Sequence, residues 1–385
     1  MNALWYYAIG FVIIWVIALV FKDKLVNYGV DVSFPTIMWK TKRLRGFIDR
    51  ITNLSPGFWK WFMNVGIVIS FVAMIAIAYL LLSSLSTITD TPSVSLVIPG
   101  VEIPGSPIFI PFVYGIIGLA TVIIVHEFAH GILARREKVG IKSIGLLLFA
   151  ILPGAFVEPD EEEINNIKKV SRMRIYAAGS MANISFALIA LLITLFISSF
   201  ALPATFQENG IEINRVIDGA PADNILKSGM IVKSINGYNV SDVNSYSKAV
   251  STLKPSEIVI VVTDKGKYNF TTGTNPNNKS LGYMGVQAVK NLEVKSDVAN
   301  VFGDQLPWVW FTLYEMFNWI FFLNLAVGLF NILPMKPLDG GHLLEDLLRY
   351  ALPDNIVKPV ITLLSWFFIF IIAISLIAGL GSGLF

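Results

Sequence analysis

Residues 121–131 read TVIIVHEFAHG and place two histidines and one glutamate in a run that is otherwise apolar. The apolar run covers 108–134, which is long enough to cross a bilayer as a helix, because a span takes about 20 residues. A charged side chain near the middle of such a helix costs roughly 2.5–3.5 kcal/mol on insertion scales, so ionisable residues there usually mark function. His126, Glu127 and His130 are therefore the first candidate functional residues.

The composition is that of a membrane protein, because 55% of the 385 residues are hydrophobic and only 15% are charged. The net charge of +2 gives no indication of nucleic-acid binding. The chain has no cysteine, which excludes disulfides, thiolate catalysis and cysteine-ligated zinc sites. The first 22 residues lack a basic n-region and a small-residue cleavage site, so we interpret them as a retained helix.

Apolar segments of spanning length occur at 3–21, 59–82, 108–134, 176–201, 307–333 and 357–382. Lysine and arginine are concentrated in the loops 22–58 and 135–175 and are absent from 83–107. The positive-inside rule places the two basic loops in the cytoplasm. This orientation puts both termini outside and the histidines near the cytoplasmic end of the third span.

Two further segments differ from the spans. Residues 143–157, SIGLLLFAILPGAFV, are apolar but short and interrupted by proline, which predicts a re-entrant or interfacial segment. Residues 205–300 are polar, with strand-like runs IEINRVI and EIVIVVT and an Asn236-Gly237 hairpin signal. We expect a small globular domain between the fourth and fifth spans, outside the membrane.

The spacing of the two histidines favours metal binding. Residues i and i+4 share one face of a helix, so His126 and His130 can present imidazole nitrogens to one zinc ion. Glu127 is offset by one residue and can act as the base on a water held there, which is the zinc-protease interpretation of H-E-x-x-H. The alternative is a pair of histidines that are hydrogen-bonded inside a helix bundle.

A third ligand is suggested by FNILPMKPLDGGH at 330–342. Pro334 and Pro337 prevent a regular helix there, and the glycine pair after Asp339 allows a close backbone approach. Asp339 is therefore a candidate ligand at the end of the fifth span. It is also a candidate N-cap for the following helix, HLLEDLLRYAL, and taken alone the residue favours that role. The residues alone leave both possibilities open.

Three motifs resemble those of the site-2 protease family of intramembrane zinc metalloproteases: HEFAH at 126–130, AAGSMANISFA at 177–187 and NILPMKPLDGG at 331–341. The resemblance implies that His126, His130 and Asp339 bind one zinc ion and that Glu127 is the catalytic base. It also implies that Asn331 and Asn183 bind substrate or stabilise the oxyanion, with helix packing as an alternative role for Asn183. Lys336 departs from the family pattern.

The same resemblance extends to two other regions. Residues 145–163 are similar to the family's membrane-dipping β-hairpin, which would hold the substrate as an added strand. Residues 205–290 resemble a PDZ domain of the kind inserted in some members, on the stretch INRVIDGAPADNILKSGMIVKSINGYNV. A PDZ-like domain would act as a filter for shortened substrates or only restrict access.

We therefore predict a multispanning α-helical membrane protein with about six spans, a re-entrant β-hairpin and an inserted extracytoplasmic α+β PDZ-like domain. The predicted regions are a two-helix membrane region with a basic loop (1–106), a first part of the catalytic core (107–203), the PDZ-like domain (204–295), a second part of the core (296–352) and a C-terminal span (353–385).

The predicted function is zinc-dependent cleavage of transmembrane segments of membrane-anchored proteins that another protease has already trimmed. The alternative is a metal-binding scaffold or transporter with an external peptide-binding module. Neither hypothesis involves nucleic acid. His342 is predicted to be a surface or capping residue, and the first two helices have no assigned role.

Overall fold

A computed structural model describes residues 3–41, 44–87, 94–103, 106, 108–150, 152–276 and 278–382. Parts of the predicted loops 22–58 and 83–107 therefore lie outside the described residues. The helices are α1 (Ala3–Val20), α2 (Lys22–Val26), α3 (Arg45–Leu54), α4 (Pro56–Ser83), α5 (Phe112–Arg136), α6 (Glu161–Asn166), α7 (Lys169–Phe196), α8 (Leu202–Thr205), α9 (Val243–Ser251), α10 (Ser296–Phe302), α11 (Val309–Asn331), α12 (Asp339–Leu348) and α13 (Asp354–Ser382). Short 3₁₀ turns lie at Ser84–Thr87 and Leu306–Trp308, and a π-helical turn at Ile197–Ala201 continues α7.

The chain divides into two compact units. The first unit comprises Met1–Leu195 and Tyr314–Phe385, and the second comprises Phe196–Leu313. The candidate metal ligands and the candidate base all belong to the first unit. The predicted PDZ-like region falls inside the second unit.

The multispanning character is confirmed. Within the described residues, five helical segments are long and apolar enough to cross a membrane: Pro56–Ser86, Phe112–Arg136, Lys169–Thr205, Leu306–Asn331 and Asp354–Gly379. The helix at the predicted first span is apolar over the shorter stretch Tyr7–Val20. The count of six spans therefore stays a prediction.

Small and polar side chains allow the core helices of the first unit to approach closely. Gly118 of α5 lies against Leu323 of α11, where an added Cβ would overlap the leucine side chain. The same two helices are joined by a hydrogen bond from Asn324 Nδ2 to Thr121 Oγ1 of 2.9 Å. Gly328 brings α11 close to the Ser180 carbonyl of α7. Lipid tails are as apolar as the helix surfaces, so the hydrophobic effect does not drive helix association in a membrane. Close packing and hydrogen bonds between helices stabilise their association instead.

The first unit also contains a four-stranded antiparallel sheet. Its strands are β1 (Val30–Ser33), β2 (Thr36–Thr41), β3 (Ile141–Phe149) and β4 (Leu152–Pro159), in the order β1-β2-β3-β4. The segment predicted to be re-entrant forms the hairpin β3–β4, and its depth in a membrane stays a prediction. The hairpin β1–β2, which the sequence analysis did not predict, extends this sheet through the pairing of β2 with β3.

Helix α1 supports the sheet. Trp15 is 4% exposed and donates a hydrogen bond of 2.8 Å from Nε1 to the carbonyl of Ala150 in the β3–β4 turn. Val32 of β1 and Ala18 of α1 pack in the same buried cluster. The N-terminal helix thus has a structural role, which is to hold the sheet that flanks the candidate site.

The second unit is an α+β domain. Its strands are β5 (Phe206–Val216), β6 (Ile231–Ile235), β7 (Tyr238–Asn239), β8 (Ile258–Thr263), β9 (Gly266–Thr271), β10 (Gly273–Thr274), β11 (Gly282–Tyr283) and β12 (Val286–Val294). The main sheet has the order β12-β5-β6-β8-β9, with β7 paired to β6. The predicted strands correspond to β5 and β8. Asn236 and Gly237 have positive φ angles of 48° and 83°, as a tight hairpin turn requires.

Candidate metal centre

Helix α5 carries two of the candidate ligands on one face. His126 and His130 are one turn apart, and their ring centroids are 4.8 Å apart. Their Nε2 atoms are separated by 3.2 Å. Both side chains are 13% exposed, so the pair is largely enclosed by protein. The i, i+4 spacing therefore has the geometry that the sequence predicted.

Asp339 joins this pair from the start of α12, directly after the turn that follows α11. Its Oδ2 atom lies 3.3 Å from Nε2 of His126 and 3.3 Å from Nε2 of His130. The turn can bring it there because Gly340 and Gly341 lie against the backbone of Ile332 and Met335, where a Cβ would overlap main-chain atoms.

The capping alternative for Asp339 is not what the structure shows. Asp339 is the first residue of α12, and the N-cap position belongs to Leu338. The helix start has no side-chain capping hydrogen bond. The carboxylate of Asp339 therefore points to the histidines and does not close the helix terminus.

The three donor atoms have the spacing of a tetrahedral zinc site. Zinc bonds of 2.0–2.2 Å at tetrahedral angles place neighbouring ligand atoms about 3.3–3.5 Å apart. The observed separations are 3.2, 3.3 and 3.3 Å. These three residues form a group that can hold a metal ion.

The charge distribution also favours a cation at this position. Asp339 Oδ2 is buried and has no hydrogen-bond partner among the described residues. Burial alone would raise the pKa of Asp339, but the neighbouring His130 and His126 outweigh it and hold the pKa well below its usual range. A metal ion bound at this point would displace the imidazole protons and take their place between the carboxylate and the two rings.

The environment of each histidine sets its tautomer. His130 Nδ1 lies 2.8 Å from the carbonyl of Ile175, so Nδ1 carries the proton and Nε2 is free to bind metal. Asn183 is fully buried, and its Nδ2 lies 3.3 Å from His126 Nδ1. Its Oδ1 has no partner among the described residues. Rotation of this amide by 180° lets Oδ1 accept the Nδ1 proton of His126, which leaves Nε2 of that ring free as well.

Gly179 is the point at which α7 contacts the ligands. A Cβ at this position would lie 2.5 Å from His126 Cε1 and 2.5 Å from His130 Nε2. Such distances are not tolerated by real side chains, so the absence of a side chain lets the α7 backbone pass behind the imidazoles. The sequence analysis noted the run AAGSMAN but did not predict this contact.

Glu127 lies beside the ligand group and is not part of it. Its Oε2 accepts a hydrogen bond of 2.9 Å from the backbone N–H of Val157 in β4. A cavity of about 970 Å³ adjoins this region and is lined by Val157 together with His130 and Asp339. Two candidate ligands and strand β4 therefore line one open space, and the candidate base is hydrogen-bonded to a residue of that lining.

Two other predicted residues, Asn331 and His342, are near Asp339 in sequence. Asn331 is the last residue of α11, and its side chain is half-buried. His342 lines the same cavity and stacks on Tyr176, with ring centroids 5.0 Å apart and planes at 26°. Burial lowers the pKa of His342, and the charge of Lys336 adds to this effect, so its imidazole is neutral at pH 7.

A buried ion pair ties α7 to α12 near the ligands. Arg172 donates from Nε to Asp346 Oδ2 at 2.9 Å and from Nη2 to Asp346 Oδ1 at 2.5 Å. Arg172 is 8% exposed and Asp346 is 2% exposed. This bidentate pair fixes the helix that begins at Asp339 against the helix that carries Gly179 and Asn183.

Comparison with known proteins gives a match over most of the chain. The model of a family described as peptidase family M50 matches residues 114–372. An uncharacterized protein of Methanocaldococcus jannaschii is 33% identical over 236 residues, which are 60% of this chain and 56% of that protein. A membrane-bound transcription factor site-2 protease homolog of Arabidopsis thaliana is 23% identical over 127 residues, which are 33% of this chain and 25% of that protein. The chain thus spans about half or less of the length of these relatives.

Proposed function

Because this chain belongs to peptidase family M50, a family of membrane metalloproteases, we propose that it is a zinc endopeptidase that cleaves transmembrane segments of membrane-anchored proteins. His126, His130 and Asp339 would hold one zinc ion, and Glu127 would be the catalytic base. The observation that carries the proposal is the triangle of donor atoms at 3.2–3.3 Å with Glu127 beside it.

The residues divide the chemistry between them. A bound zinc ion would supply Lewis-acid polarisation of the scissile carbonyl and of the attacking water. Glu127 takes the proton of the attacking water and returns it to the leaving amine, which is the part of an acid–base catalyst. Asn183 and the Ile175 carbonyl keep the two imidazoles in the tautomer that exposes Nε2.

The substrate reaches this site in an extended form. A helical backbone satisfies its own hydrogen bonds, so a substrate helix has to unwind before a peptide carbonyl can be attacked. Strand β4 has a side that no other described strand covers, which supports the proposal that the unwound segment adds to the sheet there. Asn331 is the last residue of α11, directly before the turn that leads to Asp339. Its amide would bind the substrate backbone or the oxyanion.

The cellular arrangement follows from the charge of the loops. The basic loops 22–58 and 135–175 favour a cytoplasmic position for the nearby end of α5, and hence for the ligand group. The second unit then lies outside, between α7 and α11. As a PDZ-like domain it would admit substrates that another protease has shortened.

Replacement of Glu127 by glutamine tests the proposal against the metal-binding scaffold or transporter. The Glu127→Gln chain should bind one zinc ion per molecule and lose cleavage of a co-expressed single-span protein by about 10²- to 10⁴-fold. Glu162→Gln, on the exposed helix α6, is the matched control and should cleave normally. Unchanged cleavage by Glu127→Gln refutes the protease assignment.

A further inference from the structure

The hydrogen bond from the Val157 N–H to Glu127 is made by β4, the strand at one end of the four-stranded sheet. Successive pairs of facing residues, here called rungs, alternate in an antiparallel ladder: in one rung the residues exchange both backbone hydrogen bonds, and in the next their N–H and C=O groups turn away from each other. The alternation decides which groups of β4 face its open side. The open side is the side not paired with β3 in the described sheet.

Two independent observations give the same answer. The N–H of Lys40 in β2 donates to Gly29 O, away from β3, so the rung of Lys40 with Gly145 is not hydrogen-bonded. The backbone N–H and C=O of Gly145 therefore point to β4, and the rung of Gly145 with Phe156 is hydrogen-bonded. The neighbouring residue Val157 then faces the open side, in agreement with its N–H donating to Glu127 at 2.9 Å.

By the same alternation, Ala155 and Pro153 also face the open side. Proline has no N–H, and the N–H of Val157 already bonds to Glu127. Over Pro153–Val157, Ala155 is thus the residue that offers a strand both an N–H and a C=O. A strand that adds here forms its backbone hydrogen bonds with Ala155. At Val157, two residues along β4, the added strand finds the Glu127 carboxylate, because Glu127 already accepts the hydrogen bond of the Val157 N–H.

We propose that the Val157 N–H is a positioning group for Glu127, whereas Ala155 anchors the substrate strand and so sets which peptide bond reaches the base. The proposal rests on the proposed protease function. The occupant is an extended segment of a membrane-anchored protein. Its position is supported by the cavity that adjoins Val157 and two metal ligands.

Single-atom backbone replacement tests this assignment. Incorporation of 2-hydroxyisovaleric acid at Val157 removes the N–H and keeps the side chain, and lactic acid at Ala155 is the matched control. The substrate is a single-span protein, reconstituted with the full zinc-loaded chain, that the unmodified chain cleaves and Glu127→Gln does not. The Val157 ester should lower kcat about 10- to 100-fold with KM unchanged, because a hydrogen bond to a charged group is lost. The Ala155 ester should raise KM about fivefold with kcat retained.

An equal rise in KM for both esters, with kcat unchanged, overturns the proposal, since Val157 would then bind substrate like Ala155. A second measurement does not depend on cleavage. Hydrogen exchange at the Val157 amide should accelerate about tenfold or more in Glu127→Ala, while the Ala155 amide stays as it is. Unchanged exchange at Val157 also overturns the proposal. If exchange is accelerated in Glu127→Ala while the unmodified zinc-loaded chain cleaves no substrate, the contact is supported and only the protease function is refuted.

Discussion

Replacement of Gly179 by alanine should disable the metal centre although none of the three ligand residues is replaced. The added Cβ would lie 2.5 Å from His126 Cε1 and from His130 Nε2, whereas ordinary van der Waals contact begins at 3.4 Å. Either α7 or the imidazoles must move by about 0.9 Å. Metal–ligand bonds tolerate about 0.2 Å, so a shift of the imidazoles breaks the tetrahedral geometry. A shift of α7 instead withdraws the Ile175 carbonyl and the Asn183 amide, which orient the two rings.

The expected loss of zinc affinity is at least the 10- to 100-fold that disturbed ligand orientation usually causes. The overpacking itself should cost about 1–3 kcal/mol of stability. The assay is competition with a chelator of known affinity, with zinc per chain measured by elemental analysis and folding followed by the thermal midpoint. A folded Gly179→Ala chain that binds zinc as tightly as the unmodified chain would refute the reasoning.

Gly66→Ala is the matched control for this experiment. Gly66 lies on α4 in the same core, and its added Cβ would meet side-chain atoms of Met181 and Met63 at 3.0 Å. Methionine side chains are flexible and can adjust to an extra methyl group. Gly66→Ala should therefore change stability modestly and leave zinc affinity unchanged.

Three further predictions follow from contacts around the ligands. Asn183→Ala removes the partner of His126 Nδ1 and should lower zinc affinity about 10- to 100-fold, measured by chelator competition. Asp339→Ala removes one of three ligands and should reduce bound zinc to well below one ion per chain, measured by elemental analysis. Arg172→Met leaves Asp346 with its main ionic partner removed and should destabilise the chain by about 3–5 kcal/mol, seen as a lower thermal midpoint.

The controls separate these effects from general damage. Arg135→Met breaks an ion pair with Asp49 in which the side chains are 39% and 37% exposed, so it should cost less than about 1 kcal/mol. An equal loss in Arg135→Met and Arg172→Met would contradict the argument from burial. Undiminished zinc affinity in Asp339→Ala would return that residue to a structural role at the start of α12.

Much of the local structure follows from the sequence. Apolar segments of spanning length coincide with the five long helices, because length and composition alone decide which segments can cross a bilayer. The spacing of His126 and His130 puts both on one helix face in any tertiary arrangement. The Asn236-Gly237 turn and the strands β5 and β8 are likewise local outcomes, since positive φ angles and alternating apolar residues act over a few residues.

The hairpin β1–β2 was missed for a physical reason. Its sequence, VDVSFPTIMWKT, alternates only weakly and lies between basic residues. The strand β2 is stabilised by pairing with β3, which comes much later in the chain. Strand preference depends on such neighbours more than helix preference does, so a single sequence carries little of this information.

The sequence by itself determined which residues could bind a metal, on which helix two of them lie and which segments are long and apolar enough to cross a membrane. Only the tertiary structure decided that Asp339 meets both histidines at 3.3 Å and does not cap its own helix. It also decided that Gly179 makes room for the imidazoles and that Val157 holds Glu127. These contacts join segments far apart in the chain, and backbone atoms of β4 and α7 make two of them. No side-chain pattern in the sequence can encode a contact that a backbone N–H or an absent side chain makes.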